Sequence, residues 1–474
     1  MATKKDLVEA YSFSRRRLVT AFVSGAPGGR EVEPARPGRT VVGGLALAVL
    51  LTAGAAIAGV FSPRTPDDWN EPGLLISKET GAAYVITEES DDPELRPVIN
   101  STSAKLILGA DAEPTLISQD TIDGTRIGDD IGIFGAPASL PTSSLLIDSG
   151  WTACTADHHG IRTTVSESPD PTPATGSGAL VTVHDQLYVI AQAEQTGNTP
   201  PGAYVYPAPE QVDDDGSNRR DALLAAVNLG GSTSAAEVPR EWLNLFPTGA
   251  PLDWSTFQLV RFDKTPAVPT PDVGDAKVGT LLDVADGSHF VVTDQGPAPI
   301  GDFAAGVYRN VVTPDGGTPT VVAIDTVPGT DFVDPIPSGA HWPAAIDEQI
   351  VGDPCVQLSA EHGDAPLVQL VGPGEKTRVG DVGADDKDPV VDSGRGAYVL
   401  SGDWSDRSSG QPFVLDSKGQ AYPLVGPDVA GQLGYGDHPV VVVPDTWVKL
   451  FGCGVNLSVD AALSPPGSDE EGCS

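Results

Sequence analysis

The longest unbroken apolar stretch is residues 41–61, VVGGLALAVLLTAGAAIAGVF, 21 positions with no charge and nothing more polar than Thr52. At 1.5 Å per residue this makes about 31 Å of helix, which matches a hydrocarbon core of roughly 30 Å and predicts one transmembrane helix. A buried core helix rarely stays free of polar residues for so long. A cleavable signal peptide would have a shorter apolar run and a shorter leading segment than the 40 residues found here.

Ahead of the span, Leu7, Tyr11, Leu18 and Phe22 recur at helical spacing with Arg15, Arg16 and Arg17 beside the stripe. This predicts an amphipathic helix over 6–23, read either as a lipid-held anchor or as a docking helix for another component of an assembly. Residues 24–40 are rich in Pro and Gly and read as a linker.

Beyond the span the pattern changes to short apolar strands separated by turns. LLISKETGAAYVIT ending at Thr87, VTVHDQLYVIA ending at Ala191, LLDVADGSHFVVT ending at Thr293 and PFVLDSKGQAYPLV ending at Val425 each predict a β-hairpin. Tyr84, Tyr188, Phe290 and Tyr422 take the equivalent aromatic place, which makes the four segments an internal repeat. The second and fourth copies match again further on. VPREWLNLFPTGAPL from Val238 and VPDTWVKLFGCGVNL from Val443 share Val, Pro, Trp, Leu, Phe, Gly and Leu at a constant offset. Between hairpin and tail, ALLAAVNLG and VAGQLGYG read as short helices stopped by Gly. Trp242 and Trp447 are expected to be core anchors rather than ligand platforms.

Charge orients the chain. Residues 1–40 carry eight basic and four acidic side chains, a net of +4; removing them from the totals of 28 and 65 leaves 20 basic and 61 acidic residues, a net of −41. The positive-inside rule then puts the N-terminus in the cytoplasm and everything after the span outside. An exported portion this acidic excludes nucleic-acid binding, which rests on Lys and Arg neutralising phosphates. Cys154, Cys355, Cys453 and Cys473 all lie beyond the span. An even count there predicts two disulfides in an oxidising compartment, with three connectivities open. Zinc is the competing reading, but no C-x-x-C is present and only His158 and His159 follow Cys154.

Catalytic motifs are not found. GPGEKTRVG at 372–380 has Glu375 where a phosphate-binding loop needs glycine before its lysine. Asp213, Asp214 and Asp215 begin like a calcium loop, but Ala222 falls where the bidentate acid belongs. No nucleophile elbow, H-E-x-x-H or paired-carboxylate arrangement is present, so no catalytic, metal or cofactor residue is assigned.

The run from Tyr11 and Phe13 through Arg16, Arg17 and Leu18 to Ala21, Phe22 and Val23, the single span, four repeats and two inter-repeat cysteines together resemble EccB. EccB is the membrane-anchored core subunit of the actinobacterial type VII (ESX) secretion system. The resemblance implies a structural subunit of a plasma-membrane secretion complex, with EccC, EccD and EccE as partners and a self-associating ectodomain. It also implies an elongated, β-rich (α+β) ectodomain in which four degenerate repeats flank a central β domain closed by Cys154 and Cys355. These two sit in the inter-repeat stretches that must meet to form that domain, which leaves Cys453 to pair with Cys473. The expected division begins with a basic tail bearing Arg15, Arg16, Arg17, Leu18 and Phe22 on a docking helix (1–40), then the span (41–61). Linker and repeat 1 (62–125) follow, then the N-terminal segment of the central domain (126–180), repeat 2 (181–255) and repeat 3 (256–330). The C-terminal segment of the central domain (331–395), repeat 4 (396–463) and an acidic tail (464–474) complete it. An ATPase activity is ascribed to some members of the family, but no nucleotide site is recognised here. The rival expectations are therefore a membrane-tethered ATPase and a cell-wall-binding surface repeat protein.

Overall fold

The computed structural model describes residues 4–24, 66, 68–193, 202–210, 219–269, 273–329 and 331–467. The chain divides into two units, Met1–Arg64 and Thr65–Ser474. In the first, helix α1 (Lys4–Ser24) covers the predicted amphipathic segment. Its apolar stripe lies open to solvent, with Leu18 71% and Phe22 92% exposed. The apolar run at 41–61 lies outside the described residues; among those described, no helix is long and apolar enough to cross a membrane.

The second unit is built from one motif used four times: three antiparallel strands, a helix, and a strand that returns parallel to the first. Repeat 1 has β1 (Gly73–Ser77), β2 (Ala83–Ile86), β3 (Glu94–Pro97), α2 (Ser101–Leu108) and β4 (Thr115–Ile117), followed by α3 (Gln119–Asp123) and β5 (Arg126–Ile127). Its sheet order is β4-β1-β2-β3-β5. Asn100 starts α2 by accepting the Ser103 N–H at 2.8 Å, an N-cap that satisfies one of the helix's unpaired donors. Then β6 (Trp151–Cys154) and β7 (Ile161–Val165) lay down the first two strands of the central sheet.

Repeat 2 follows with β8 (Ser177–Val183), β9 (Gln186–Ala193), β10 (Gly202–Pro207), α4 (Arg219–Ala226), β11 (Ala236–Glu237) and α5 (Arg240–Leu243). His184 and Asp185 both have positive φ, so β8 and β9 join through a two-residue turn whose twist matches the strands. Repeat 3 has β12 (Leu281–Val284), β13 (His289–Val292), β14 (Pro297–Ile300), α6 (Asp302–Asn310) and β15 (Val321–Ile324). Strand β16 (Glu348–Ile350) then returns to pair with β8, and β17 (Cys355–Ser359), β18 (Leu367–Val371) and β19 (Lys387–Val391) complete the central sheet in the order β18-β17-β6-β7-β19. Repeat 4 contains β20 (Ala397–Gly402), β21 (Gln411–Leu415), β22 (Gln420–Pro423), α7 (Val429–Gln432), β23 (Val441–Pro444), α8 (Asp445–Val448), β24 (Gly452–Cys453) and α9 (Val459–Ala462).

One equivalence drawn from the sequence is corrected. The hairpins at Thr87, Ala191 and Thr293 are the first of their repeats, whereas the one ending at Val425 is β21–β22, the second of repeat 4. Tyr422 therefore matches Tyr206 of β10, not Tyr188. The glycines of the two Trp segments agree: a Cβ on Gly249 would lie 2.3 Å from the Tyr206 ring, and one on Gly454 would lie 2.2 Å from the Tyr422 ring.

The repeats pack in pairs through their helices. Leu106 of α2 shares a core with Val429, Leu433, Tyr435 and Leu457 of repeat 4. Leu223, Leu224 and Val227 share another with Phe303, Val307 and Tyr308 of repeat 3. Gly306 permits this second approach, because a Cβ there would meet the Ala226 carbonyl at 2.8 Å. Between the pairs, one continuous core joins residues of the central sheet to repeats 2 and 4.

Candidate functional site: the disulfide-closed junction

Cys154 and Cys355 are directly opposed on antiparallel strands β6 and β17 and form a disulfide with a Cα–Cα separation of 4.1 Å. The bridge spans 201 positions of sequence and is fully buried beside Ala156, Val371, Val379 and Val382. It fastens the N-terminal strands of the central sheet to the C-terminal ones. It also removes the thiolate that a zinc reading of Cys154 needs. The neighbouring histidines are otherwise engaged, His158 with Asp157 and Glu237 and His159 with the Asp157 carbonyl.

Three fully buried tryptophans, Trp151 within the sheet and Trp242 and Trp447 outside it, gather at the junction. The Trp151 indole N–H donates to the Ile147 carbonyl at 2.8 Å, and the ring meets Phe451 edge-on at 5.3 Å. Trp242 donates to the Ala153 carbonyl in β6 at 3.0 Å, and Trp447 donates to the Leu245 carbonyl at 3.2 Å. The two repeated Trp segments therefore meet each other and the central sheet, and both indoles act as packing anchors with satisfied donors.

Polar contacts that sequence reading missed tie the flanking segments down. Asp148 accepts the Tyr398 N–H at 2.9 Å and pairs with His438, the two side chains being 12% and 15% exposed. Burial pushes the Asp148 carboxyl above its ordinary range, opposed by hydrogen bonds from His438 and Tyr398. Tyr435 donates to the Pro141 carbonyl and stacks on Tyr398, its hydroxyl pushed up first by burial and then by the Asp148 charge. On the other side of the sheet, Arg162 pairs with Asp381 at 3.0 Å and Asp388 at 2.7 Å and donates to the Arg378 carbonyl. Asp148 and His438 carry no local signal, since 290 positions separate them.

The loop at 372–380 does not take the form of a phosphate loop. The Lys376 N–H donates to the Asp170 carboxylate at 2.9 Å, so a carboxylate already occupies a backbone donor that a phosphate would need. Strand β19, not a helix, is the next element. Among the described residues, no group of three or more His, Cys, Asp or Glu is placed to hold a metal ion. Asp213, Asp214, Asp215 and Cys473 lie outside the described residues, while Cys453, in β24, is disulfide-bonded. Arg15, Arg16, Arg17, Leu18 and Phe22 all lie on exposed positions of α1, far in sequence from the junction.

Known proteins share this arrangement. A family profile described as the type VII secretion system ESX-1, transport TM domain B, matches residues 1–466. The chain belongs to the EccB family. The ESX-1 secretion system ATPase EccB1 of Mycolicibacterium smegmatis is 24% identical over 451 residues, covering 90% of this chain and 87% of that protein. The ESX-2 secretion system ATPase EccB2 of Mycobacterium tuberculosis is 26% identical over 503 residues, covering 97% and 94%. Among solved structures, a chain of an intact ESX-5 inner membrane complex superposes with a TM-score of 0.58 at 18% identity, covering 100% of this chain and 97% of that one. A chain of the EccB3 dimer from the ESX-3 core complex gives 0.59 at 19%, covering 83% and 100%. The β-rich repeats around a disulfide-closed sheet are thus an EccB fold, and the EccB family is a core component of the type VII secretion membrane complex.

Proposed function

We propose that this chain is a single-pass structural subunit of a type VII secretion membrane complex. Its N-terminal helix docks in the cytoplasm, residues 41–61 cross the plasma membrane, and the repeat-bearing unit assembles on the extracytoplasmic side with a second copy. The observation that carries the reading is the family match over nearly the whole chain, from α1 through repeat 4. The charge step across the apolar run, from +4 to −41, supports the orientation. The exposed stripe of α1 supports docking, since Leu18 and Phe22 face solvent and await a partner surface. EccC, EccD and EccE are the partners that membership suggests, and Cys453 with Cys473 is the second bridge.

A membrane-tethered ATPase is the second reading, because the relatives carry that activity in their names. The carboxylate of Asp170 on the Lys376 N–H argues against a nucleotide in that loop.

The deciding experiment is extraction of tagged full-length chain in mild detergent, followed by identification of co-purifying membrane proteins. Other type VII components in one large complex are expected. Recovery of the intact chain alone would sink the reading, and tight binding of labelled ATP by that chain would favour the second. Replacing Arg15, Arg16 and Arg17 by Glu should release the protein from the complex, since it sets acidic charge beside the membrane and the partner. Normal co-purification of that variant would refute the docking role of α1.

A further inference from the structure

Sheets end in edges, and native proteins cover, shorten or break their edges because unpaired backbone groups recruit other strands. Most margins here follow that rule. The β14 edge carries Pro297 and Pro299, whose carbonyls accept the Val333 and Ile336 N–H groups. Strand β18 is covered by residues 172–174, β10 by 247–249, and β19 is interrupted by Pro389. Strand β23 is buried throughout, while β4, β5, β11, β16 and β24 are two or three residues long.

Strand β15 is different. It pairs parallel with β12 on one side and ends the repeat 3 sheet on the other. Leu281 donates to the Thr320 carbonyl and Ala285 to the Ile324 carbonyl, so the even-numbered residues turn their backbone groups toward β12. Val321 and Ala323 turn theirs outward. Val321 is 45% exposed and Ala323 is exposed. Among the described residues no backbone hydrogen bond meets the outward groups of Val321 or Ala323.

Charge selects the occupant. From 310 to 375 the sequence has no Lys or Arg, while Asp315, Asp325, Asp331 and Asp334 lie within or beside this segment. Of the four basic residues of repeat 3, Arg261, Lys277 and Arg309 are already paired with Asp294, Asp263 and Asp283, and Lys264 lies more than 50 positions before β15 in sequence. A second copy would bring acidic edge against acidic edge.

We propose that β15 is a strand-addition site for an extended segment of a partner polypeptide, apolar at alternate positions and flanked by Lys or Arg. Main-chain hydrogen bonds to Val321 and Ala323 supply the binding, and the acidic surround selects the sign of the flanks. This goes beyond the function proposed above and does not depend on which complex holds the chain.

The test uses full-length protein in detergent and two fluorescent peptides of alternating Val and Thr, one flanked by pairs of Lys and its twin by pairs of Glu. The Lys-flanked peptide should bind at least about 10-fold tighter, and the difference should shrink at high salt. Ala323→Pro removes an outward donor without touching the ladder to β12, because proline is tolerated on an edge. It should weaken binding about 10-fold or more with melting unchanged. Should that variant melt early, Asp325→Lys tests the same site by shifting preference toward the Glu-flanked twin. Equal binding of the twins, or unchanged binding by both variants, would overturn the proposal. So would a dimer of the full chain that Ala323→Pro dissolves, since a second copy would then hold the edge.

Discussion

The Trp447 indole donates to the Leu245 carbonyl, 202 positions away in sequence, while its counterpart Trp242 donates to Ala153 in the central sheet. Equivalent tryptophans thus do unequal work. One fastens a repeat to the sheet, and the other fastens repeat 4 to the Trp segment of repeat 2. Cooperative closure of the junction follows, because neither segment has its polar groups satisfied without the other.

Trp447→Ala is expected to cost about 3–5 kcal/mol, as large-to-small changes at fully buried aromatics do. Trp447→Phe keeps most of the packing and leaves the Leu245 carbonyl unpaired, a cost of about 1–3 kcal/mol. Thermal melts of the two variants beside wild type check the order. Equal and small losses would show that this indole is peripheral to the junction.

The disulfide gives a second prediction. In the chain-entropy model a bridge across 201 positions stabilises by roughly 5 kcal/mol, so Cys154→Ser or Cys355→Ser should lower the melting temperature strongly. Cys473→Ser, which would open the far shorter loop of the proposed Cys453–Cys473 bridge, should cost less, about 3 kcal/mol in the same model. Peptide mapping of non-reduced protein should recover Cys154 linked to Cys355. Greater loss from Cys473→Ser would mean that the central sheet holds without its bridge.

Much of this architecture is legible in short-range pattern, and what is not legible depends on distance. The β8–β9 hairpin is plain because an apolar strand, His184-Asp185 and a second strand follow one another without interruption. In repeat 4 the first hairpin is interrupted by residues 403–410, so the pattern settles on the next hairpin and Tyr422 is matched to the wrong strand. The return strands β4, β11, β15 and β23 have two to four residues, too few to show a period, and their parallel partners lie beyond a helix. The Trp segments announce themselves by shared residues, but which carbonyl each indole meets does not. The same limit hides Asp148 and His438, which only the closed junction brings together.

The repeated glycines make a third prediction. Gly249 and Gly454 each lie under a tyrosine ring, Tyr206 and Tyr422, too close for any Cβ. Gly249→Ala and Gly454→Ala should therefore each displace a ring and cost about 1–3 kcal/mol, the usual range for overpacking. Melting of the single variants checks the size, and near-equal losses are expected because the two sites are structural counterparts. If either substitution proved neutral, the ring would be free to move and the equivalence of Tyr206 with Tyr422 would lose its physical basis.

The buried Asp148 makes the stability of the junction depend on pH. Burial raises its folded-state pKa, and the hydrogen bonds from His438 and Tyr398 oppose that rise without cancelling it. The folded protein therefore holds this proton more tightly than the unfolded chain does. The contribution of the group is fully present below the unfolded value of about 3.9 and is lost as pH rises through the raised folded value. Asp148→Asn removes the titration while keeping an acceptor for the Tyr398 N–H. Denaturant melts of both proteins between about pH 3 and pH 8 should show the stability difference drifting toward the variant as pH climbs from about 4, then levelling. Any fixed offset reports how well the amide fits His438 and does not bear on the slope. Repeating the comparison in a His438→Gln background removes one of the influences that lower the Asp148 pKa, so the drift should grow. A flat difference would mean that the attractions balance burial, and one moving toward wild type as pH rises would mean that they outweigh it; either overturns the prediction.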